Sequence, residues 1–155
     1  MRMKQVEAYW QRFLATLAPD SPTREERYVA ERFGDMPDLA NRLAALVVAG
    51  TKTATCSSLW EWEAEGNPIP EVGSKTIVLD GNDEPLCIIE TTEVTVRPYD
   101  EVDAHFAAEE GEGDQSLSYW RTAHWNFFSR ILPKIGKAPT LDMPLVCERF
   151  RVIYK

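Results

Sequence analysis

Apolar positions recur every three or four residues through the first fifty positions and every second residue in much of the remainder; this change of period divides the chain. Residues 6–17 put Tyr9, Phe13, Leu14 and Leu17 on one stripe, which predicts an amphipathic helix. The linker 18–23 carries two prolines that end the pattern. A second helix is clearer still. Asp35 stands where a cap belongs, Pro37 falls in the first turn, and Leu39, Leu43 and Val47 repeat at helical spacing until Gly50 closes the run.

Residues 53–57, 76–79, 86–96 and 146–154 are rich in β-branched and aromatic side chains and predict strands. Asp80-Gly81-Asn82-Asp83 supplies turn residues between the second and third, so a hairpin is expected there. A short helix is predicted over 101–108 and a long one over 116–132, stopped by Pro133. Helices first, strands after, and a helical insertion before the last strand predict an α+β fold. The expected architecture is a small mixed β-barrel or open sheet with flanking helices. Residues 1–28 read as a helical extension packed on a domain of residues 29–155.

The chain has 155 residues, enough for one real core, and its 44% apolar content is that of a folded protein. Cys56, Cys87 and Cys147 are odd in number and far apart, which predicts free thiols and neither a zinc knuckle nor a disulfide framework. Two histidines without ligand spacing predict no metal and no cofactor. No signal-peptide core or spanning segment is present, so a cytoplasmic protein with no membrane partner is expected. Net charge is −8, but residues 121–155 hold seven bases against two acids. That segment is able to meet a phosphate or two; it is no extended nucleic-acid track, and DNA is not expected as a partner.

Candidate chemistry gathers at few places. Gly50-Thr51-Lys52-Thr53-Ala54-Thr55 delivers a lone lysine and three hydroxyls to the start of a strand. Lys52 reads either as a surface residue ahead of threonines chosen for β-propensity, or as a base or cation beside nucleophiles. The run Glu109-Glu110-Gly111-Glu112-Gly113-Asp114 reads either as a solvated loop with Asp114 near a helix cap, or as a source of one carboxylate for a pocket. His124 lies on the aromatic stripe of the long helix and reads as a packed, hydrogen-bonded core residue; His105 has no identifiable partner. Trp60 and Trp62 share one face if 57–63 is extended, either as core or as a wall on which a base stacks.

The runs Leu46-Val47-Val48-Ala49-Gly50, Thr51-Lys52-Thr53-Ala54-Thr55 and Glu110-Gly111-Glu112-Gly113-Asp114, with Phe33-Gly34-Asp35, Val72-Gly73, Ile77-Val78-Leu79-Asp80, Ser116-Leu117, Tyr119-Trp120 and Val146-Cys147-Glu148-Arg149-Phe150, resemble the ASCH domain family over roughly residues 33–154. The resemblance implies a PUA-like fold, a small β-barrel with helices similar to RNA-binding domains. Some small bacterial members are amidohydrolases that remove acyl groups from the N4 amine of cytidine with a Lys, a Thr and a Glu. Others of this length are ribonucleases on single-stranded RNA.

Carried over by motif, the resemblance implies Lys52, Thr55 and Glu110 as catalytic residues, with Glu109 the alternative acid because the loop is long. Thr53, Ser57, Trp60, Glu109 and Arg121 are the candidate substrate contacts. In the chemistry expected from this set, Thr55 attacks the acyl carbonyl. Lys52, lowered in pKa by burial, accepts its proton, and Glu110, raised in pKa, protonates the departing amine. The partner is then a small nucleoside, or single-stranded RNA in the alternative reading; oligomeric state is unassigned.

Overall fold

A computed structural model describes residues 2–155. In chain order the elements are α1 (Arg2–Leu14), β1 (Tyr28–Arg32), α2 (Pro37–Ala49), β2 (Ala54–Ser58), α3 (Leu59–Glu65), β3 (Lys75–Leu79), β4 (Pro85–Pro98), α4 (Ala104–Glu110), α5 (Leu117–Ile131) and β5 (Pro144–Tyr154). The five strands form one sheet in the order β1-β3-β4-β5-β2, with β1 parallel to β3 and every other pair antiparallel. The sheet curls into a half-barrel, so the fold is α+β and PUA-like, as the alternation and the resemblance imply.

Alternation along the strands explains the layering. All five residues of β3 are buried because both faces are covered. Ile77 and Leu79, with Ile88 of β4, meet Val6, Tyr9, Trp10, Phe13 and Leu14 of α1. Val78, one position out of phase, faces the other way with Cys87, Ile89 and Phe150 and is covered by Leu43, Ala44 and Val47 of α2. A third cluster joins Ala54, Leu145 and Cys147 to Phe106 of α4 and to Trp120 and Phe128 of α5. The stripe predicted on α1 is therefore a core surface, and Trp10 lies 4.6 Å from Tyr28 between ring centroids.

Two local expectations are corrected. Asp35 does not cap α2: the N-cap is Met36, without a side-chain bond, and the Asp35 carboxylate instead pairs with Arg130 at 2.9 and 3.0 Å. The Trp60–Trp62 segment is helix α3, closed by Gly66 at φ +69°, so the two indoles leave in opposing directions. Leu, Trp, Glu and Ala in this run include no β-branched residue, and their alternation of apolar and acidic side chains mimics a strand. Asp114 stands near the cap of α5 as expected: Ser116 is the N-cap, its hydroxyl accepting from Tyr119 N–H at 3.0 Å, and Asp114 accepts from Ser116 N–H at 2.9 Å. The α-helix α5 stops at Ile131, just ahead of Pro133 as expected, and the chain continues in a 3₁₀ turn over Leu132–Ile135.

Because α1 supplies one wall of the core, unfolding is expected as a single transition. Trp10→Ala, at a site 3% exposed, should cost about 3–5 kcal/mol. A separate early transition in a urea titration followed by tryptophan fluorescence would show instead that the helix is an independent appendage.

Candidate functional site: a buried lysine in a carboxylate cage

α2 ends where Gly50 adopts φ +80°, and the amides of Gly50, Thr51 and Lys52 fold back on the carbonyls of Val47 and Leu46 at 3.0–3.1 Å. This closure turns Lys52 inward. Thr53 is then pinned from two sides, its N–H donating to the Glu109 carbonyl at 2.8 Å and its carbonyl accepting from Phe150 N–H at 3.0 Å. The other half of the site comes from the end of α4, where Gly111 sits at φ +71°; a Cβ there would stand 2.5 Å from the Thr51 carbonyl oxygen. No residue with a side chain fits that contact.

Lys52 is 1% exposed, which removes the surface reading. Its Nζ donates to Glu110 Oε1 at 2.8 Å, to the Glu110 carbonyl at 3.3 Å and to Glu112 Oε2 at 3.0 Å. Glu110, equally buried, accepts at Oε2 from the Trp120 indole N–H at 2.6 Å, and His124 Nε2 lies 3.2 Å from the same oxygen. His124 Nδ1 is 2.9 Å from the Trp120 carbonyl. Both imidazole nitrogens thus face acceptors, an arrangement that only the imidazolium satisfies.

The charges are set by the partners. Burial alone pulls Lys52 down, but Glu110 and then Glu112 outweigh it and the ammonium ends above its ordinary pKa. Burial pushes Glu110 up, yet Lys52 and then His124 hold it far below the carboxylate range. Burial likewise pulls His124 down, and Glu110 more than restores it. Lysine is therefore a cation and Glu110 an anion at neutral pH, the reverse of the expected base and acid.

The cage forms the floor of a cavity of about 600 Å³. Thr55 and Ser57 of β2 line it with Lys52 and Glu110, as do Phe33, Trp62 and Phe127. Trp62 is oriented by its N–H, which donates to Ser57 Oγ at 2.8 Å. Four sequence candidates lie off the cavity wall. Thr53 is tied to the Glu109 carbonyl, and Glu109 itself is held by Arg149 at 2.9–3.1 Å. Trp60 packs on the core beneath Lys137, and Arg121 is exposed, its carbonyl accepting from the Tyr99 hydroxyl at 2.7 Å.

The strand edge adds a backbone donor. The Phe150–Thr53 hydrogen bond continues the β2–β5 register, so Thr55 and Glu148 form a hydrogen-bonded pair and Cys56 N–H points away from β5, off the open edge of the sheet. Cys56, Glu110 and His124 bring their side-chain heteroatoms within 4.8 Å of one another, a spacing able to hold a metal ion. Their present partners favour a hydrogen-bonded cluster, since Lys52 and Trp120 already occupy both Glu110 oxygens. Burial, then the Glu110 charge, pushes the Cys56 thiol well above its usual value, so it is not a thiolate nucleophile.

Sequence reasoning missed Glu112, Trp120 and Glu148, and set His124 aside as core. For His124 and Trp120 the signal was weak, because i and i+4 on an aromatic stripe is also how a core helix looks. For Glu148 a signal existed: Val146, Glu148, Phe150 and Val152 share one face of a strand, and Glu148 is the charge among them.

Removing the cation tests the cage. Lys52→Met should lose roughly 3–5 kcal/mol at pH 7, because two carboxylates are left without their partner. The depressed Glu110 pKa stabilises the wild type above the ordinary carboxylate range, and that contribution fades as pH falls toward its folded value. In the variant Glu110 takes up a proton in mild acid, so the deficit should narrow between pH 7 and pH 5. A urea-measured deficit independent of pH would refute the cage as an electrostatic unit.

A family model of the ASCH domain matches residues 29–154. The crystal structure of an ASCH domain from Lactobacillus crispatus JV V101 superposes with a TM-score of 0.92 at 35% identity, covering 98% of this chain and 96% of that one. A protein from Enterococcus faecalis V583 superposes at 0.87 with 40% identity over 98% of this chain and 90% of its own. A hypothetical protein at 12% identity and a TM-score of 0.52 shares the fold alone. No curated protein matches the chain. With its motifs, its fold and these relatives in agreement, the chain belongs to the ASCH domain family.

Proposed function

We propose that this protein hydrolyses the amide of N4-acylated cytidine-type nucleosides. The observation that carries the reading is a fully buried lysine held as a cation, sharing a nucleoside-sized cavity with the Thr55 hydroxyl. Phe33, Trp62 and Phe127 offer aromatic surface for a flat base. The lining carries six glutamates against three arginines and one lysine, which suits a neutral nucleoside better than a polyanion.

The charge states redistribute the roles expected from sequence. Thr55 Oγ attacks the acyl carbon, and the carbonyl oxygen gains negative charge. Cys56 N–H at the open strand edge is the donor for that oxyanion, and Lys52, whose three N–H groups are held by Glu110 and Glu112, contributes its positive charge through space. Glu110 fixes Lys52 and His124 in place instead of donating a proton. An ester on Thr55 forms as the amine leaves, and water then releases the acid.

The alternative is single-stranded RNA binding, suggested by the basic C-terminal segment. Three of its seven bases are already matched: Arg130 by Asp35, Arg149 by Glu93 and Glu109, and Arg151 by Glu90. The patch left for phosphate is thus smaller than its sequence surplus suggests.

Purified protein should convert N4-acetylcytidine to cytidine, followed by ultraviolet absorbance, and Thr55→Val should lower kcat by more than about a thousandfold with Tm unchanged. Thr55 is the cleaner target, since loss of Lys52 also destabilises the fold. Full activity in Thr55→Val would remove the nucleophile. Absent turnover, with oligoribonucleotide binding that falls steeply with salt, would transfer the cavity to the RNA reading.

A further inference from the structure

The cage leaves the proposed reaction without a proton carrier, because Lys52 is already protonated and Glu110 already ionised. We infer that Glu148 carries the proton, accepting it from Thr55 Oγ–H and delivering it to the departing N4 nitrogen. The inference rests on the hydrolase reading proposed for this cavity.

Thr55 and Glu148 are register partners across β2 and β5, so their Cα atoms stand about 5.5 Å apart and their side chains rise on the same face. Both line the cavity. Glu148 is half-buried and accepts one hydrogen bond, from Thr91 Oγ1 to Oε1 at 3.2 Å. Among the described residues no hydrogen bond is made to Oε2 and no cation pairs with this carboxylate. Every other carboxylate singled out as a catalytic candidate is tied up, Glu109 by Arg149 and Glu110 by Lys52.

Its surroundings keep the proton exchangeable. Burial, and then the nearby Glu31 carboxylate of β1, push Glu148 up to about 7, against the bond from Thr91. The arginines on the same cavity, Arg32, Arg42 and Arg130, are permanently charged. Glu61 and Glu65 of α3 are the other carboxylates along the cavity wall, and Glu31 is the one whose charge favours the protonated acid. On the floor, the Lys52 and His124 cations balance Glu110 and Glu112.

The step balances. As Thr55 Oγ bonds to the acyl carbon, its proton passes to Glu148. When the C–N4 bond breaks, the acid returns that proton to N4, giving the free amine and acyl-Thr55. Water then attacks the ester, losing a proton to Glu148, and the threonine oxygen recovers it as the carboxylic acid leaves. The sum is amide plus water to amine plus acid.

The test compares wild type, Thr55→Val, Glu148→Gln and Glu148→Asp on N4-acetylcytidine from pH 5 to 9, with kcat and KM resolved and folding checked by Tm. Glu148→Gln should lower kcat about 10²–10³-fold with KM within a few fold, and should erase the limb of the kcat profile near neutrality. Glu148→Asp, which keeps the carboxyl, should recover part of kcat with a displaced limb; it decides the matter if the glutamine variant does not fold. Wild-type kcat and an unchanged profile in either folded variant, while Thr55→Val is inactive, would overturn the role of Glu148 and leave the hydrolase reading standing. A wild type with no turnover would overturn both.

Discussion

A lysine ammonium without water around it must be fully paired or it destabilises the fold by several kcal/mol. Much of this structure serves that constraint at Lys52. Two carboxylates surround the Nζ, an indole and an imidazole satisfy the oxygen that the lysine leaves over, and the imidazole in turn reaches a helix carbonyl. These groups come from separate stretches of chain, so the ion cluster ties α2, α4 and α5 to the start of β2. Gly50 and Gly111 belong to the same device: one lets the chain turn inward after α2, and the other lets the two loops touch backbone to backbone.

The same field that makes the lysine tolerable fixes what it is able to do. With Glu110 and Glu112 in contact, Lys52 holds its proton, and with Lys52 and His124 in contact, Glu110 holds its charge. A pair locked in this way is a poor acid–base couple and a good electrostatic one. On the neighbouring strand Glu148 has the opposite environment, with burial and an acidic neighbour but no cation. Two glutamates in one cavity are thus driven apart in protonation, the usual physical basis for dividing roles between carboxyls.

Much of the scaffold was legible along the chain. Helix α2 announced itself through Pro37, its apolar spacing and Gly50; the β3–β4 hairpin did so through β-branched runs flanking Asp80-Gly81-Asn82-Asp83; and α5 carried a full aromatic stripe. Where reading failed, two explanations fitted the same letters. Residues 59–65 alternate apolar and acidic side chains as a strand would, but contain good helix formers ended by a glycine. Asp35 precedes a helix as a cap would, yet a guanidinium 95 positions away offers a stronger partner than an amide. β1, five residues and half exposed, lacked any pattern strong enough to stand out.

What the sequence determined by itself was the fold class, most helices and strands, and the family motifs that nominated Lys52, Thr55 and Glu110, because these depend on local period, turn chemistry and residue identity. Only the tertiary structure decided that Lys52 is buried, that Glu110 faces it while Glu109 turns away to Arg149, and that Glu148 stands across from Thr55. It also decided the charge each group carries. Burial and Coulomb interaction depend on what lies within a few ångströms in space, and here those neighbours are separated by roughly 40–95 positions of chain.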